Sequence, residues 1–138
     1  MSYFDDELIA DLKQKGIGYE TLSSDKREEI SSVIQKKARF IGSQIAWKNL
    51  NGAKNLNGFN KSEALNLISK TLGRLKTKRV IFLGDSAIDH AYSVDATDTR
   101  SVIEIFSEIP QHTYILPEDL SWIACLSAEG YIDCANLS

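Results

Sequence analysis

A Gly-Asp-Ser sequence follows the most apolar run of the chain and is the first candidate for chemistry. Residues 80–83 are Val-Ile-Phe-Leu, and residues 84–86 are Gly-Asp-Ser. A serine hydroxyl becomes a useful nucleophile when a general base, most often histidine, removes its proton. Asp89 and His90 follow closely and add the residue types of an acid–base pair. The alternative interpretation is a buried strand that ends in a turn.

The run from Val80 to Ser86 resembles the nucleophile block of the SGNH (GDSL-type) esterases and lipases. That resemblance implies that Ser86 attacks an acyl carbonyl, and it requires a histidine three residues after an aspartate near the C-terminus. Neither His90 nor His112 has an aspartate three positions before it. A serine without a base is a weak nucleophile. A small serine esterase or hydrolase that uses Ser86 therefore stays an alternative function, and the first interpretation is a protein that is not an enzyme.

Carboxylates near the Gly-Asp-Ser sequence allow a metal site, a contact with a partner or plain solvation. Asp85 and Asp89 are four residues apart, so on a helix they would lie on one face and repel each other unless a cation lay opposite. Cys125 and Cys134, with the two histidines, do not have the spacing of zinc ligands. We predict no metal site, no cofactor and no catalytic residue.

The charge of the chain is distributed unevenly. Residues 80–138 hold ten acidic residues and one basic residue, a net charge of −9, whereas residues 1–79 hold fifteen basic and nine acidic residues, a net charge of +6. An acidic field attracts a basic protein or a cation and repels phosphates. Because the pI is about 5.4, the basic stretches 36–39 and 76–79 are interpreted as solvated helix faces. We predict a basic protein partner and no direct contact with nucleic acid.

Seven residues are the predicted contacts with this partner. Six are acidic residues expected on loops and on a hairpin, where we expect them to share one surface: Asp85, Asp89, Glu118, Asp119, Glu129 and Asp133. Trp47 is added because tryptophan is enriched at binding hot spots and this one lies next to an Asn-rich loop. Trp122 lies in an apolar strand and is expected in the core.

Helical periodicity predominates in the first half of the chain. Apolar residues recur at helical spacing in four segments: 4–15, 25–47, 61–75 and 98–108. Asp25 with Glu28, and Asn60 with Glu63, have the spacing of helix-capping pairs. The segment 49–60 is rich in Asn and Gly and is predicted to be a loop.

Strands are predicted later in the chain. Four apolar runs have strand length: 79–84, 113–116, 121–126 and 131–135. The last two are predicted to form a hairpin in which Gly130 supplies the positive φ. Two registers of this hairpin are open. The register that pairs Ser127 with Tyr131 separates apolar from polar residues between the two faces better than the register that pairs Cys125 with Cys134. We therefore expect free thiols, as a reducing compartment also favours.

These elements predict one globular α+β domain over residues 1–138. Its N-terminal helices would pack on one face of a small, mostly antiparallel sheet of three to four C-terminal strands. No apolar run approaches the length of a membrane span, and the N-terminus is acidic where a signal peptide is basic. We therefore expect a cytoplasmic protein with no membrane contact. The oligomeric state is open, because strands 113–116 and 131–135 are candidates for exposed edges.

The stretch from His112 to Gly130 resembles the C-terminal part of bacterial immunity proteins of contact-dependent growth inhibition and other polymorphic toxin systems. The similar features are a strand that ends in Tyr-Ile-Leu, a turn with Pro and acidic residues, a strand that opens on Trp122, and a Glu-Gly turn. The resemblance covers about 25 residues, from 112 to 135. It implies a cytoplasmic, non-enzymatic protein that binds the C-terminal domain of one cognate toxin and blocks its active site.

Charge and resemblance together predict an immunity protein that occludes a basic toxin domain. A nuclease is favoured because its phosphate-binding cleft is basic, although the activity of the toxin stays open. A regulatory adaptor for another basic protein is the third alternative, because it too needs only a complementary surface.

Overall fold

Four helices lie where apolar periodicity predicts them. The computed structural model describes residues 2–42 and 44–137. The helices are α1 (Tyr3–Gln14), α2 (Ser24–Ala38), α3 (Lys61–Arg74) and α4 (Thr99–Ser107), with short 3-10 helices at Trp47–Asn49 and Ala96–Asp98. Asn60 caps α3 as predicted, because its side chain accepts a hydrogen bond from the Glu63 amide at 2.9 Å. None of the helices in these described ranges is long and apolar enough to cross a membrane.

Helix α2 differs from its prediction at both ends. Ser23, and not Asp25, is the N-cap residue, and its hydroxyl accepts a hydrogen bond from the Lys26 amide at 3.1 Å. The helix ends at Ala38, nine residues before the predicted end, because Arg39 adopts a φ of 50°. Two short strands, β2 (Phe40–Ile41) and β3 (Gln44–Ile45), follow as an antiparallel pair.

The other seven strands form a single antiparallel sheet. They are β1 (Tyr19–Thr21), β4 (Lys54–Asn55), β5 (Arg79–Gly84), β6 (Tyr92–Asp95), β7 (Thr113–Pro117), β8 (Trp122–Leu126) and β9 (Ile132–Asn136). Their order across the sheet is β1-β6-β5-β7-β8-β9-β4, and every neighbouring pair is antiparallel. The α+β class is therefore confirmed, but three to four strands was too few. Strands β7 and β9 are interior, so the predicted edges were also wrong.

The hairpin of β8 and β9 has the predicted register. Leu126 pairs with Ile132, and the Ser127 amide donates to the Tyr131 carbonyl at 2.8 Å. Gly130 has the expected positive φ, of 94°. Because Cys125 then lies opposite Asp133, the two cysteines are not partners, and both are free and buried.

Helices cover both faces of the sheet, whereas the prediction placed them on one. We call the face under α1, α3 and α4 the three-helix face, and its core includes Phe82, Phe106 and Trp122. The opposite face is the α2 face, and its core joins Ile30 and Ile34 of α2 to Ile81, Leu83, Tyr114, Leu116, Ile123 and Cys125 of the sheet. Strand β5 is buried on both faces, as its continuous apolar sequence predicts.

Candidate functional site

The two ends of the sheet carry different loops. At the upper end, β5 ends, β7 begins, and β8 turns into β9. At the lower end, β5 begins and β7 turns into β8. Successive turns of an antiparallel sheet alternate between its ends, so this strand order decides which acidic residues lie together.

The structure separates the six predicted acidic contacts into two groups. Asp85 and Asp89 follow β5, and Glu129 lies in the β8–β9 turn, so these three lie at the upper end. Asp133 is close by, as the second residue of β9. Glu118 and Asp119 lie in the turn after β7, at the lower end. The expectation that all six share one surface was therefore wrong.

The acidic residues at the upper end form no ion pair with a described lysine or arginine. Among residues 2–42 and 44–137, no lysine or arginine forms an ion pair with Asp85, Asp89, Glu129 or Asp133. At the lower end, the Glu118 amide donates to the Arg79 carbonyl at 3.2 Å, which places that turn beside the basic stretch 76–79. Arg27 reaches the upper end, where its guanidinium donates to the Gly84 carbonyl at 3.0 Å, and Lys54 lies opposite Cys134, next to Asp133. The four carboxylates of the upper end therefore outnumber these two cations and are not salt-bridged to them.

The loop after the Gly-Asp-Ser sequence is held by a buried carboxylate. Asp5 is fully buried in the first turn of α1 and accepts hydrogen bonds from the amides of Asp89, at 2.7 Å, and His90, at 3.4 Å. The hydroxyls of Ser2 and Tyr92 donate to the same carboxylate. Burial raises the pKa of Asp5, but these hydrogen bonds outweigh burial and hold that pKa below its ordinary value.

A buried glutamine holds the remaining amides of this loop. The Gln111 side-chain oxygen accepts hydrogen bonds from the amides of Ala87, at 2.9 Å, and Ile88, at 3.2 Å. Its side chain packs so closely on Gly84 that a Cβ there would lie 2.0 Å from Gln111 Oε1. The glycine is therefore required by close packing, and these amides are not free to bind an oxyanion.

Ser86 has no base beside it. Its hydroxyl donates to Asp85 Oδ1 at 3.2 Å, and no imidazole within the described ranges forms a hydrogen bond with it. His112 Nδ1 instead accepts a hydrogen bond from the Ala128 amide at 2.9 Å. In the described part of the chain, no three residues of the metal-ligating types lie together as a metal site would need. The Gly-Asp-Ser sequence therefore acts as a strand end and a rigid turn in this structure.

A small cavity opens on the α2 face, near the upper end. Its volume is about 140 Å³, and we call it the Tyr114 cavity. Tyr114, Cys125 and Asp133 lie directly opposite one another on β7, β8 and β9 and form its floor. Trp47 and Tyr131 line its sides, so two of the predicted partner contacts, Trp47 and Asp133, lie together here.

Acidic side chains dominate the field in this cavity. Burial raises the pKa of the Cys125 thiol, and the negative charges of Asp133, Asp85 and Glu129 raise it further. Asp133 Oδ1 accepts a hydrogen bond from Asn55 Nδ2 at 3.0 Å. Trp47 is half-buried against the α2-face core, whereas Trp122 is buried on the three-helix face, as predicted.

A larger groove lies on the other side of the β8–β9 turn. It has a volume of about 530 Å³ and runs between that turn, the start of α3 and the end of α4. Phe59 and Tyr131 line it and are 48% and 56% exposed. Lys61 and Glu108 form an ion pair of 3.1 Å at its side. Tyr131 borders both openings, so the turn presents an exposed aromatic ring between them.

The sequence analysis missed Asp5, Gln111, Tyr114 and Tyr131. Asp5 had a signal, because it stands three residues after Ser2 at the start of a helix, which is capping-box spacing, and the structure forms that box. The two tyrosines had none, because only the strand register brings Tyr114 beside Trp47 and Asp133.

The comparisons with known proteins leave the chain unassigned. No protein-family model matches it, and no curated protein matches it. The function is therefore argued from the site alone.

Proposed function

We propose that this protein is an immunity protein that binds the C-terminal domain of a cognate toxin, a basic domain, and occludes its active site without catalysing a reaction. The observation that carries the proposal is a group of four carboxylates at the upper end of the sheet that form no ion pair with a described lysine or arginine: Asp85, Asp89, Glu129 and Asp133. Complementary fields accelerate association and discriminate against wrong partners. A protein that must neutralise a toxin quickly gains from both effects.

Exposed aromatic residues support the same end of the molecule as the binding surface. Tyr131 stands on the β8–β9 turn among the acidic residues, and Phe59 lies across the larger groove from it. Aromatic residues at the centre of an interface commonly supply most of its binding energy, while charges at its rim set the association rate. Glu118 and Asp119 are left out of the proposed surface because they lie at the lower end. Trp47 is retained because it lines the Tyr114 cavity.

The rigidity of the upper end also supports a binding role. Asp5 and Gln111 fix four successive amides of the loop that carries Asp89, so its position is set before a partner arrives. A preorganised surface loses less conformational freedom on binding. A nuclease toxin is favoured by charge alone, and a regulatory adaptor for another basic protein would use the same surface.

The test is a calorimetric titration with the C-terminal domain of the large protein encoded immediately upstream, at about 50 and about 300 mM salt. We expect binding with a Kd of nanomolar order that weakens with salt. Asp89→Asn with Glu129→Gln should weaken binding about tenfold at low salt and reduce its salt dependence. Both residues are exposed, and their carboxylates accept no hydrogen bond from the described residues.

The matched control removes the same two charges from the lower end. Glu118→Gln with Asp119→Asn also deletes one glutamate and one aspartate, and it should change the affinity less than about twofold. Equal losses in the two double variants would contradict an upper-end surface. Absence of any binding by the unsubstituted chain would refute the pairing with that toxin.

A further inference from the structure

The Tyr114 cavity is lined by a tyrosine whose side chain is mostly buried. Tyr114 is 7% exposed, and its hydroxyl forms no hydrogen bond with any of the described residues. Its side chain lines both the Tyr114 cavity and a neighbouring cleft beside Arg27. A phenolic hydroxyl that lines a cavity can donate a hydrogen bond to a ligand and accept one from it.

The groups around this hydroxyl are those that bind a planar cation. Asp133 contributes a carboxylate on the same floor, with one oxygen bonded to Asn55 and the other free of described hydrogen-bond donors. Trp47 and Tyr131 contribute aromatic rings at its sides. A guanidinium group is attracted to aromatic faces and donates hydrogen bonds to carboxylates in a planar array.

The size of the cavity suits one side-chain terminus. A volume of about 140 Å³ admits a small planar group, because a cavity of about 150 Å³ holds a benzene ring, and a guanidinium contains only one carbon and three nitrogen atoms. A phosphate would be repelled by the field of Asp133, Asp85 and Glu129.

We infer that the Tyr114 cavity receives an arginine side chain of the basic partner, with Asp133 and the Tyr114 hydroxyl accepting its hydrogen bonds and Trp47 and Tyr131 packing against its plane. This inference rests on the proposed function for the identity of the partner, but it concerns one cavity and can be tested without the toxin. It assigns Tyr114 and Tyr131 to the interface, with Trp47 and Asp133.

The experiment is a titration of the full chain with Nα-acetyl-L-arginine N-methylamide, followed by the two tryptophan indole N–H signals in ¹H–¹⁵N spectra. We expect the Trp47 signal to shift in a saturable manner while the Trp122 signal stays in place, since Trp122 is buried on the opposite face of the sheet. The citrulline analogue has nearly the same shape without the charge, and it should not shift Trp47. The lysine analogue should bind at least about threefold more weakly, because its ammonium cannot stack.

Two variants test the assigned residues. Asp133→Asn should weaken arginine binding at least about fivefold, because the charged acceptor is lost, and Asp119→Asn at the lower end should leave it unchanged. If Asp133→Asn alters the spectrum of the free protein, Tyr131→Ala replaces it, since that ring is 56% exposed.

The inference is overturned if the arginine probe leaves the Trp47 signal unmoved, if citrulline shifts it equally, or if lysine binds as tightly as arginine. None of these outcomes involves the toxin domain, so each would leave the proposed function standing. Conversely, if the protein binds the arginine probe but not the toxin domain, the proposed partner is wrong and the assignment of the cavity to an arginine side chain stands.

Discussion

The two faces of the sheet each bury a tyrosine, and the two hydroxyls have opposite surroundings. On the three-helix face, Tyr92 is fully buried and donates to the Asp5 carboxylate. On the α2 face, Tyr114 is almost as buried, and its hydroxyl has no hydrogen-bond partner among the described residues. Burial raises the pKa of both phenols, so both are neutral donors at physiological pH.

The Tyr92 hydroxyl contributes to the stability of the fold, whereas Tyr114 lines a cavity. Around Tyr92, each polar contact helps to position α1 or the loop that carries Asp89. The α2 face is covered by only one helix, α2, and by the short β2–β3 pair. This smaller cover leaves an opening at Tyr114. A satisfied buried hydroxyl contributes to stability, whereas a hydroxyl that lines a cavity is available to a ligand.

The largest expected effect comes from removing the carboxylate on the three-helix face. Asp5→Ala leaves the Tyr92 hydroxyl and the Asp89 and His90 amides without an acceptor, and it should lower the free energy of unfolding by about 3–5 kcal/mol. Urea denaturation followed by circular dichroism measures the loss. The neighbouring exposed residue is the control, because Asp6→Ala should stay within about 0.5 kcal/mol. A loss below about 1 kcal/mol in Asp5→Ala would contradict the assigned role.

The next effect comes from the close contact between Gly84 and Gln111. In Gly84→Ala the new Cβ would displace the Gln111 side chain and release the amides of Ala87 and Ile88. We expect a loss of about 2–3 kcal/mol in the same urea experiment, with faster hydrogen exchange at those amides. Gly18→Ala is the control, because a Cβ there meets nothing within 4 Å. Similar losses in the two variants would show that packing against Gln111 is not the cause.

A pair of tyrosine variants tests the comparison directly. Tyr92→Phe removes a hydrogen bond to a charged acceptor and should cost about 1.5–3 kcal/mol, whereas Tyr114→Phe should change stability by less than about 0.5 kcal/mol. Thermal and urea unfolding of both variants supply the measurement. Equal losses would mean that the Tyr114 hydroxyl has a structural partner, and its assignment to a ligand would then be wrong.

The smallest effect is a pH dependence that comes from Asp5. Because its pKa in the folded state lies below the ordinary value of 3.8, its contribution is complete well above pH 3.8 and is lost as the pH falls through the lower, folded-state pKa. The stability difference between the unsubstituted protein and Asp5→Asn should therefore narrow as the pH falls below about 4. Urea denaturation at a series of pH values measures this difference. A difference that widens on acidification would contradict a lowered pKa of Asp5.

Sequence patterns predicted the elements whose signals are local. The apolar run of β5, the caps of α3 and the sorting of apolar residues in the β8–β9 hairpin each depend on neighbouring residues, and each matches the structure. Strands of two or three residues, such as β1 and β4, were missed because they are too short to show a period. Strand β6 was missed although it is largely buried, because one apolar–polar alternation over four residues is too short to stand out.

Prediction of the candidate site required contacts between residues that are far apart in the sequence. The separation of Glu118 from Glu129 could have been predicted, because successive turns of antiparallel strands lie at opposite ends of a sheet. The Tyr114 cavity could not, because it requires the register of three strands and the early end of α2. Apolar periodicity gave no sign of that end, since the spacing continues beyond Ala38 to Ile41 and Ile45.

The strand order also has a consequence for how the chain folds. Lys54 in β4 pairs with Cys134 in β9, and Tyr19 in β1 pairs with Val94 in β6, so both edges of the sheet join residues far apart in the sequence. Such non-local contacts require large loops to close before they contribute, and proteins rich in them fold in about milliseconds to seconds. Strand β4 has no place in the sheet until β9 is present. During synthesis, the edge strands β1 and β4 of the basic first half therefore cannot pair until the acidic second half has been made.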